Sequence, residues 1–144
     1  MSRLFRRVGQ LALLTVLAGC GSSNTSTGTL PTTLPTVLTE TFSGTLVKNS
    51  AYTHPFTVSD AGDVSIFVLI SADTQNPDNN AVPVGVSLGT WNGNTCSIVI
   101  AKDNVLPGDT LSGRATAAGN LCVRVYDIGF VPSGLSYELL IDHY

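Results

Sequence analysis

Residues 63–71 read DVSIFVLIS, and this stretch decides the fold. Val64, Ile66, Val68 and Ile70 alternate with Ser65, Phe67 and Leu69, a period of two with β-branched residues prominent on one side. That is the pattern of a strand with one face in a core; a helical stripe would recur every ~3.6 residues. The same period continues down the chain. Val84, Val86 and Leu88 alternate with Gly85, Ser87 and Gly89; Ile98 and Ile100 follow, then Leu121, Val123 and Val125, then Tyr137, Leu139 and Ile141. Turn-forming clusters separate the runs: Asp60-Ala-Gly-Asp63, Asn76-Pro-Asp-Asn-Asn80, Trp91-Asn-Gly-Asn94, Pro107-Gly-Asp109, Ala118-Gly-Asn120 and Pro132-Ser-Gly134.

The pattern predicts eight strands, over 40–47, 52–58, 63–71, 82–90, 95–102, 110–115, 120–127 and 135–142. No segment carries an amphipathic helical stripe, and there is no internal repeat. Short strands joined by short turns imply an all-β, two-sheet antiparallel β-sandwich of jelly-roll-like type, each sheet hiding one face against the other. A closed barrel is the alternative.

The 144 residues suffice for one domain; 43% are hydrophobic and only 12% charged. Mean hydropathy is +0.28, yet no run reaches the roughly 18 apolar residues of a spanning helix. The apolar content sits in the alternating strands and at the N-terminus. There, Arg3, Arg6 and Arg7 precede an apolar stretch from Val8 to Ala18, the layout of a secretory signal. Residues 21–38, GSSNTSTGTLPTTLPTVL, have no charge and read as a tether. As a flexible coil, 18 residues reach about 5–6 Å × √18, roughly 23 Å. Without the signal, Lys48, Lys102, Arg114 and Arg124 face ten acids, a net −6. No basic patch is left for nucleic acid or for anionic headgroups.

Leu17-Ala18-Gly19-Cys20 resembles the lipobox of bacterial lipoproteins. The resemblance implies cleavage before Cys20, which then carries acyl chains such as palmitate. One chain anchors marginally and two or more anchor stably, at ~0.8 kcal/mol per buried methylene. Gly21, where an aspartate is absent, implies an outer-membrane destination in an organism that has one. The expected organisation is a signal peptide over 1–19, a lipidated cysteine and Ser/Thr/Pro linker over 20–38, and the β-sandwich over 39–144.

With Cys20 assigned to lipid, Cys96 and Cys122 remain, an even pair in a compartment that allows oxidation. A disulfide is expected. Cys96 is in phase with Ile98 and Ile100, whereas Cys122 is out of phase with Leu121, Val123 and Val125. Either a bulge in one strand reconciles them or the bridge lies on an outer face. A metal site would need further ligands, and His54 and His143 show no ligand spacing.

Residues 42–142 also resemble the bacterial pre-peptidase C-terminal domain. The resemblance is carried by Phe42-Ser-Gly44-x-Leu46, His54-x-Phe56-x-Val58, Gly62-Asp-Val64-x-Ile66, Gly119-Asn-Leu-Cys-Val-Arg-Val-Tyr-Asp127 and Tyr137-x-Leu139-x-Ile141. It implies a small β-sandwich in an accessory role. The acidic pair that some members use for calcium is replaced here by Ala51-Tyr-Thr-His54.

No Gly-x-Ser-x-Gly, His-Glu-x-x-His, phosphate-binding loop or dinucleotide fingerprint occurs. His54 reads as an edge or sheet-surface residue, and His143 falls at the end of the chain, where fraying is normal. No catalytic residue is assigned, no cofactor is implied, and the protein is expected not to be an enzyme. Asp73 and Asp78, in an oxygen-rich loop, are candidate calcium ligands against an ordinary turn reading. Trp91, Tyr52 and Tyr126 are candidate carbohydrate contacts, provided they share one exposed surface; otherwise Trp91 is expected to cap the end of the core. The composite expectation is a lipid-anchored protein of the bacterial cell envelope. It would display a non-catalytic sandwich, with an envelope polysaccharide or a protein as partner; a small hydrolase is the least supported alternative.

Overall fold

The computed structural model describes residues 35–76 and 78–144; the expected signal peptide, Cys20 and the linker up to residue 34 lie outside them. Eight strands follow in order: β1 (Leu38–Val47), β2 (Ala51–Val58), β3 (Gly62–Asp73), β4 (Val84–Trp91), β5 (Cys96–Val105), β6 (Thr110–Ala115), β7 (Gly119–Tyr126) and β8 (Gly134–His143). They form two antiparallel sheets of four, β1-β8-β3-β6 and β2-β7-β4-β5. Only β4 and β5 are consecutive strands within one sheet; every other connection crosses from sheet to sheet. This order is that of a jelly roll, an open sandwich with four edge strands. The edge strand β2 accommodates Pro55, whose missing N–H a central strand would have needed.

The core is where the two central strand pairs face each other. Val64, Ile66 and Val68 of β3 and Leu139 and Ile141 of β8 pack against Val84, Val86 and Leu88 of β4 and Val123 and Val125 of β7. All of these are buried, so each contributes on the order of 1.5–3 kcal/mol in transfer from water. Leu46, Phe56, Val58 and Leu111 extend the core into the edge strands.

Three register shifts depart from the simple alternation; one lies between Val84 and Val86 in the β4–β5 pair, and the other two decide which residues face the core. In β3, Val68 pairs with Leu139 but Ile70 pairs with Glu138, so Leu69 is the inserted residue. The phase then reverses. Ile70, expected in the core, is 43% exposed on the outer face, while Ser71 and Asp73 turn inward. Two backbone bonds hold the bulge to the β5–β6 turn: Val68 N–H donates to Asp109 (3.1 Å) and Gly108 N–H to the Val68 carbonyl (2.8 Å). Ser71 is satisfied inside by donating its hydroxyl to the Val82 carbonyl. In β5, Leu88 opposes Ile100 and Gly89 opposes Ile98, which leaves Val99 inserted and 71% exposed. Ile98 therefore does not share the core face of Ile100.

That second bulge works with the disulfide. Cys96 and Cys122 are bonded, with Cα atoms 5.8 Å apart, although β5 and β7 flank β4 on opposite sides. Cys122 is in register with Gly89, and a Cβ at Gly89 would collide with the carbonyl group of Ser97. The start of β5 thus folds over the outer face of β4, where the glycine leaves room. Both ways of reconciling the cysteine phases are realised: β5 is bulged, and the bridge is on the outer face.

A second clamp closes the other end. Asp127 Oδ1 accepts backbone N–H groups of Gly129 (2.7 Å), Phe130 and Val131 (both 3.1 Å), and Oδ2 accepts that of Asn49 (2.8 Å). Desolvation pushes the carboxyl's pKa up, but the four backbone donors together outweigh it and hold the group below its ordinary range. The β1–β2 turn is thereby tied to the β7–β8 loop.

Joining Cys96 to Cys122 closes 26 residues of sequence, so reduction is expected to lower the unfolding free energy by about 3.5 kcal/mol on chain-entropy grounds. Urea denaturation of oxidised and reduced protein measures it. Coincident midpoints would mean that the bridge adds nothing the sheets do not already provide.

Candidate functional site

The outer face of sheet β2-β7-β4-β5 carries a half-buried tryptophan among amides and hydroxyls. Thr57 of β2 pairs with Asn120 of β7, and Trp91 of β4 pairs with Cys96 of β5. The β4–β7 register ends at Thr90–Leu121. One further step sets Trp91 beside Asn120. Thr57, Asn120, Trp91 and Cys96 therefore form one row across the sheet. With Pro55, Phe56, Asn92 and Gly93 they line an open depression of about 450 Å³, Cys96 lying just outside it.

The depression is rigid for reasons legible in its bonds. Asn92 Oδ1 accepts the N–H groups of Asn94 (2.9 Å) and Thr95 (2.8 Å), and its Nδ2 donates to Thr95 Oγ1 (2.9 Å). This side chain holds the β4–β5 turn in shape, and the disulfide fixes the strand that leaves it. Gly93, at φ +94°, takes the left-handed position of the turn and presents no side chain to the space above. Thr57 Oγ1 donates to Asn120 Oδ1 (3.0 Å), orienting the amide so that its NH2 points elsewhere. None of the lining residues is charged.

The three aromatic residues expected to share a surface do not. Tyr126 lies on the same outer face as Trp91, with its ring over Gly85, where a Cβ would strike it. Gly85 is six residues from Trp91 along β4, roughly 20 Å at strand rise. The Tyr126 hydroxyl donates to Asp103 Oδ1 at 2.6 Å. Burial first, then that hydrogen bond and the charge of Asp103, push its pKa up to about 12. Tyr52 is on the other face of the sheet, 45% exposed on its edge strand, with its ring 6.5 Å from that of Tyr137. Trp91 also does not cap the core, because its register puts it on the outer face. The row that contains Thr57 and Asn120 gave no motif in the sequence; only strand register brings those residues to Trp91.

The oxygen-rich loop is a turn. Asp73 is buried, and its Oδ1 accepts the N–H of Gln75 at 2.8 Å, while Asp78 is exposed. Among the described residues, no three His, Cys, Asp or Glu side chains converge where a metal ion would sit.

His54 lies on an edge strand as expected, whereas His143 departs from expectation. His143 is not frayed: it is 1% exposed, and its Nε2 lies 2.9 Å from Glu40 Oε1 across the β1–β8 pair. His54 is on an edge strand but faces inward. Its ring stacks on Phe42 (centroids 5.0 Å apart), and Nε2 makes a 2.8 Å hydrogen bond with the Tyr137 hydroxyl. Burial lowers the pKa of His54, and burial together with the nearby Tyr52 pushes that of Tyr137 up to about 12. The pair is a neutral polar strut between the sheets, held by the ring of Phe42.

No protein-family model matches the sequence, and no curated protein matches it. Among solved structures the chain is similar to the Yersinia pseudotuberculosis-derived mitogen, with TM-score 0.51 and 12% identity over 74% of this chain and 86% of that one. It is also similar to the disulfide-linked pili of Bacillus endospore appendages, with TM-score 0.38 and 13% identity over 75% of this chain and 88% of that one. At such identity the mitogen supports the architecture alone.

His54 makes a pH prediction. Its folded pKa is depressed, so the unfolded chain takes up the proton first as pH falls. Its contribution to stability is therefore complete above its unfolded pKa of ~6.5 and declines as pH falls below it. The free-energy difference between the wild type and His54→Gln, followed by urea denaturation from pH 8 to pH 5, should move against the wild type. A difference constant with pH would refute a neutral His54. Comparison with the variant cancels whatever pH dependence the two proteins share.

Proposed function

We propose that this chain is a bacterial lipoprotein that displays a non-catalytic jelly-roll domain from the cell envelope. The observation that carries the reading is Leu17-Ala18-Gly19-Cys20, set between an apolar stretch headed by three arginines and an uncharged Ser/Thr/Pro segment. In this reading Cys20 bears the acyl chains, residues 21–38 hold the domain clear of the bilayer, and Gly21 favours an outer membrane. An accessory role like that of pre-peptidase C-terminal domains agrees with the sandwich and with the matched residues in β1, β2, β3, β7 and β8.

One structural observation favours display for binding. The rigid depression around Trp91 has its shape set by a disulfide and by the Asn92 hydrogen bonds, so a ligand there would order few side chains. The domain would then act as a binding module, with an envelope polysaccharide as the favoured partner over a protein.

Metabolic labelling with an alkyne-bearing fatty acid tests the anchor. The wild-type chain is expected to take up label, with the acyl mass on the peptide that begins at Cys20, and Cys20→Ser to take up none. Equal labelling of both would remove the lipoprotein reading, as would a mature N-terminus elsewhere.

A further inference from the structure

We propose that the Trp91 depression binds an uncharged polysaccharide, with one sugar ring seated on the indole. The inference rests on the binding-module reading above and gives it a ligand class and a geometry.

The lining is the first argument. Pro55, Thr57, Trp91, Asn92, Gly93 and Asn120 supply aromatic and aliphatic surface, amides and a hydroxyl, but no charge. A phosphate, carboxylate or cation would leave water for a site with no counter-charge, an unfavourable exchange. A neutral sugar has the opposite needs. Its C–H face is apolar and flat enough to lie on an indole, and its rim of hydroxyls seeks donors and acceptors of the kind amides provide. With ten acids against four bases outside the N-terminal arginines, the chain repels an acidic polymer in any case.

Unspent hydrogen-bonding capacity is the second argument. Thr57 occupies Asn120 Oδ1, which leaves the Asn120 NH2 outside that bond. Among the described residues, neither that NH2 nor the indole N–H of Trp91 takes part in an intramolecular hydrogen bond. Both therefore remain as donors beside the ring face. The Asn92 amide, by contrast, is consumed within its turn and serves as a wall.

Shape is the third. A depression of about 450 Å³ is within the range of ligand sites, yet it is an open shelf that does not enclose what it holds. Such a shelf suits an internal unit of a chain whose neighbours run off both sides, and it offers little to a free monosaccharide. A protein partner would call for a contiguous apolar anchor, whereas around Trp91 the apolar surface of Pro55 and Phe56 is interrupted by Thr57, Asn92 and Asn120.

Trp91 is the only tryptophan in the chain, so intrinsic fluorescence reports on the site directly. The full-length oxidised protein in detergent is titrated with dextran, a β-glucan, a galactan, a mannan and the neutral polysaccharide fraction of its own organism's envelope. Polygalacturonate is the anionic control. Affinity electrophoresis in the same polymers gives apparent Kd. The expected result is a fluorescence change and retarded migration with at least one neutral polymer and none with polygalacturonate. Trp91→Ala should weaken binding by about tenfold or more, and Asn120→Ala by a smaller factor, while Trp91→Phe retains most of it because a ring face survives. If Trp91→Ala fails to fold, Trp91→Phe and Asn120→Ala still decide the matter. The proposal is overturned if no neutral polymer perturbs the wild type, if only polygalacturonate binds, or if retardation is the same with and without the Trp91 ring. Fatty-acid labelling of the same preparations keeps the two readings apart: label without glycan binding overturns this inference and leaves the displayed lipoprotein standing.

Discussion

Everything in this fold depends on one contact, the meeting of two valine-rich strand pairs across the sandwich. β3 and β8 press Val64, Ile66, Val68, Leu139 and Ile141 onto Val84, Val86, Leu88, Val123 and Val125 of β4 and β7. These four strands are the central ones of their sheets, so the edge strands attach to a core that already exists. The edges are then free to depart from regularity. Much of the irregular chemistry of the molecule is found at or beside them: the Pro55 strand, the inward histidines, the Val99 bulge and the disulfide; the Leu69 bulge, between the central strands β3 and β8, is the exception.

Gly89 links the core to the surface site. It is the outer-face neighbour of Leu88, and its lack of a side chain lets the β5 backbone settle over β4. Cys96 can then reach Cys122 across an intervening strand, and the Asn92–Thr95 turn is held from both ends. A larger residue at Gly89 would leave the core intact but lift the wall of the Trp91 depression. The site is thus a product of a missing Cβ two residues away from its aromatic platform, held in place by a covalent bond on its far side.

Most of the architecture could be read from the chain itself, because period-two alternation and turn clusters are local signals. Each strand was expected within three residues of where it begins and ends, and the disulfide followed from cysteine parity. What could not be read was anything set by register. An inserted residue in Val68-Leu69-Ile70 or Ile98-Val99-Ile100 leaves no trace in composition, since all three residues of each run are apolar. The reversals that expose Ile70 and Ile98 are visible only in the pairing with β8 and β4. The cysteine phases did carry a hint, for their mismatch is the mark of the β5 bulge. His143 misled because position near a chain end suggests fraying, whereas its strand pairs along its whole length with β1. The site lay out of reach for the same reason: Thr57, Trp91 and Asn120 belong to three strands far apart in sequence.

The place of β8 has a consequence for how such a chain is made. The last strand in chain order lies between β1 and β3, so β1 has no partner until residues 134–143 exist. Synthesis proceeds from the other end, and pairings this distant in sequence are slow to form even in a complete chain. Before β8 exists, only the β3–β6 pair of that sheet can form, and it is β8 that joins the pair to β1. Until that last strand is in place the sandwich stays open along β1, and closure of the fold is the business of the residues made last.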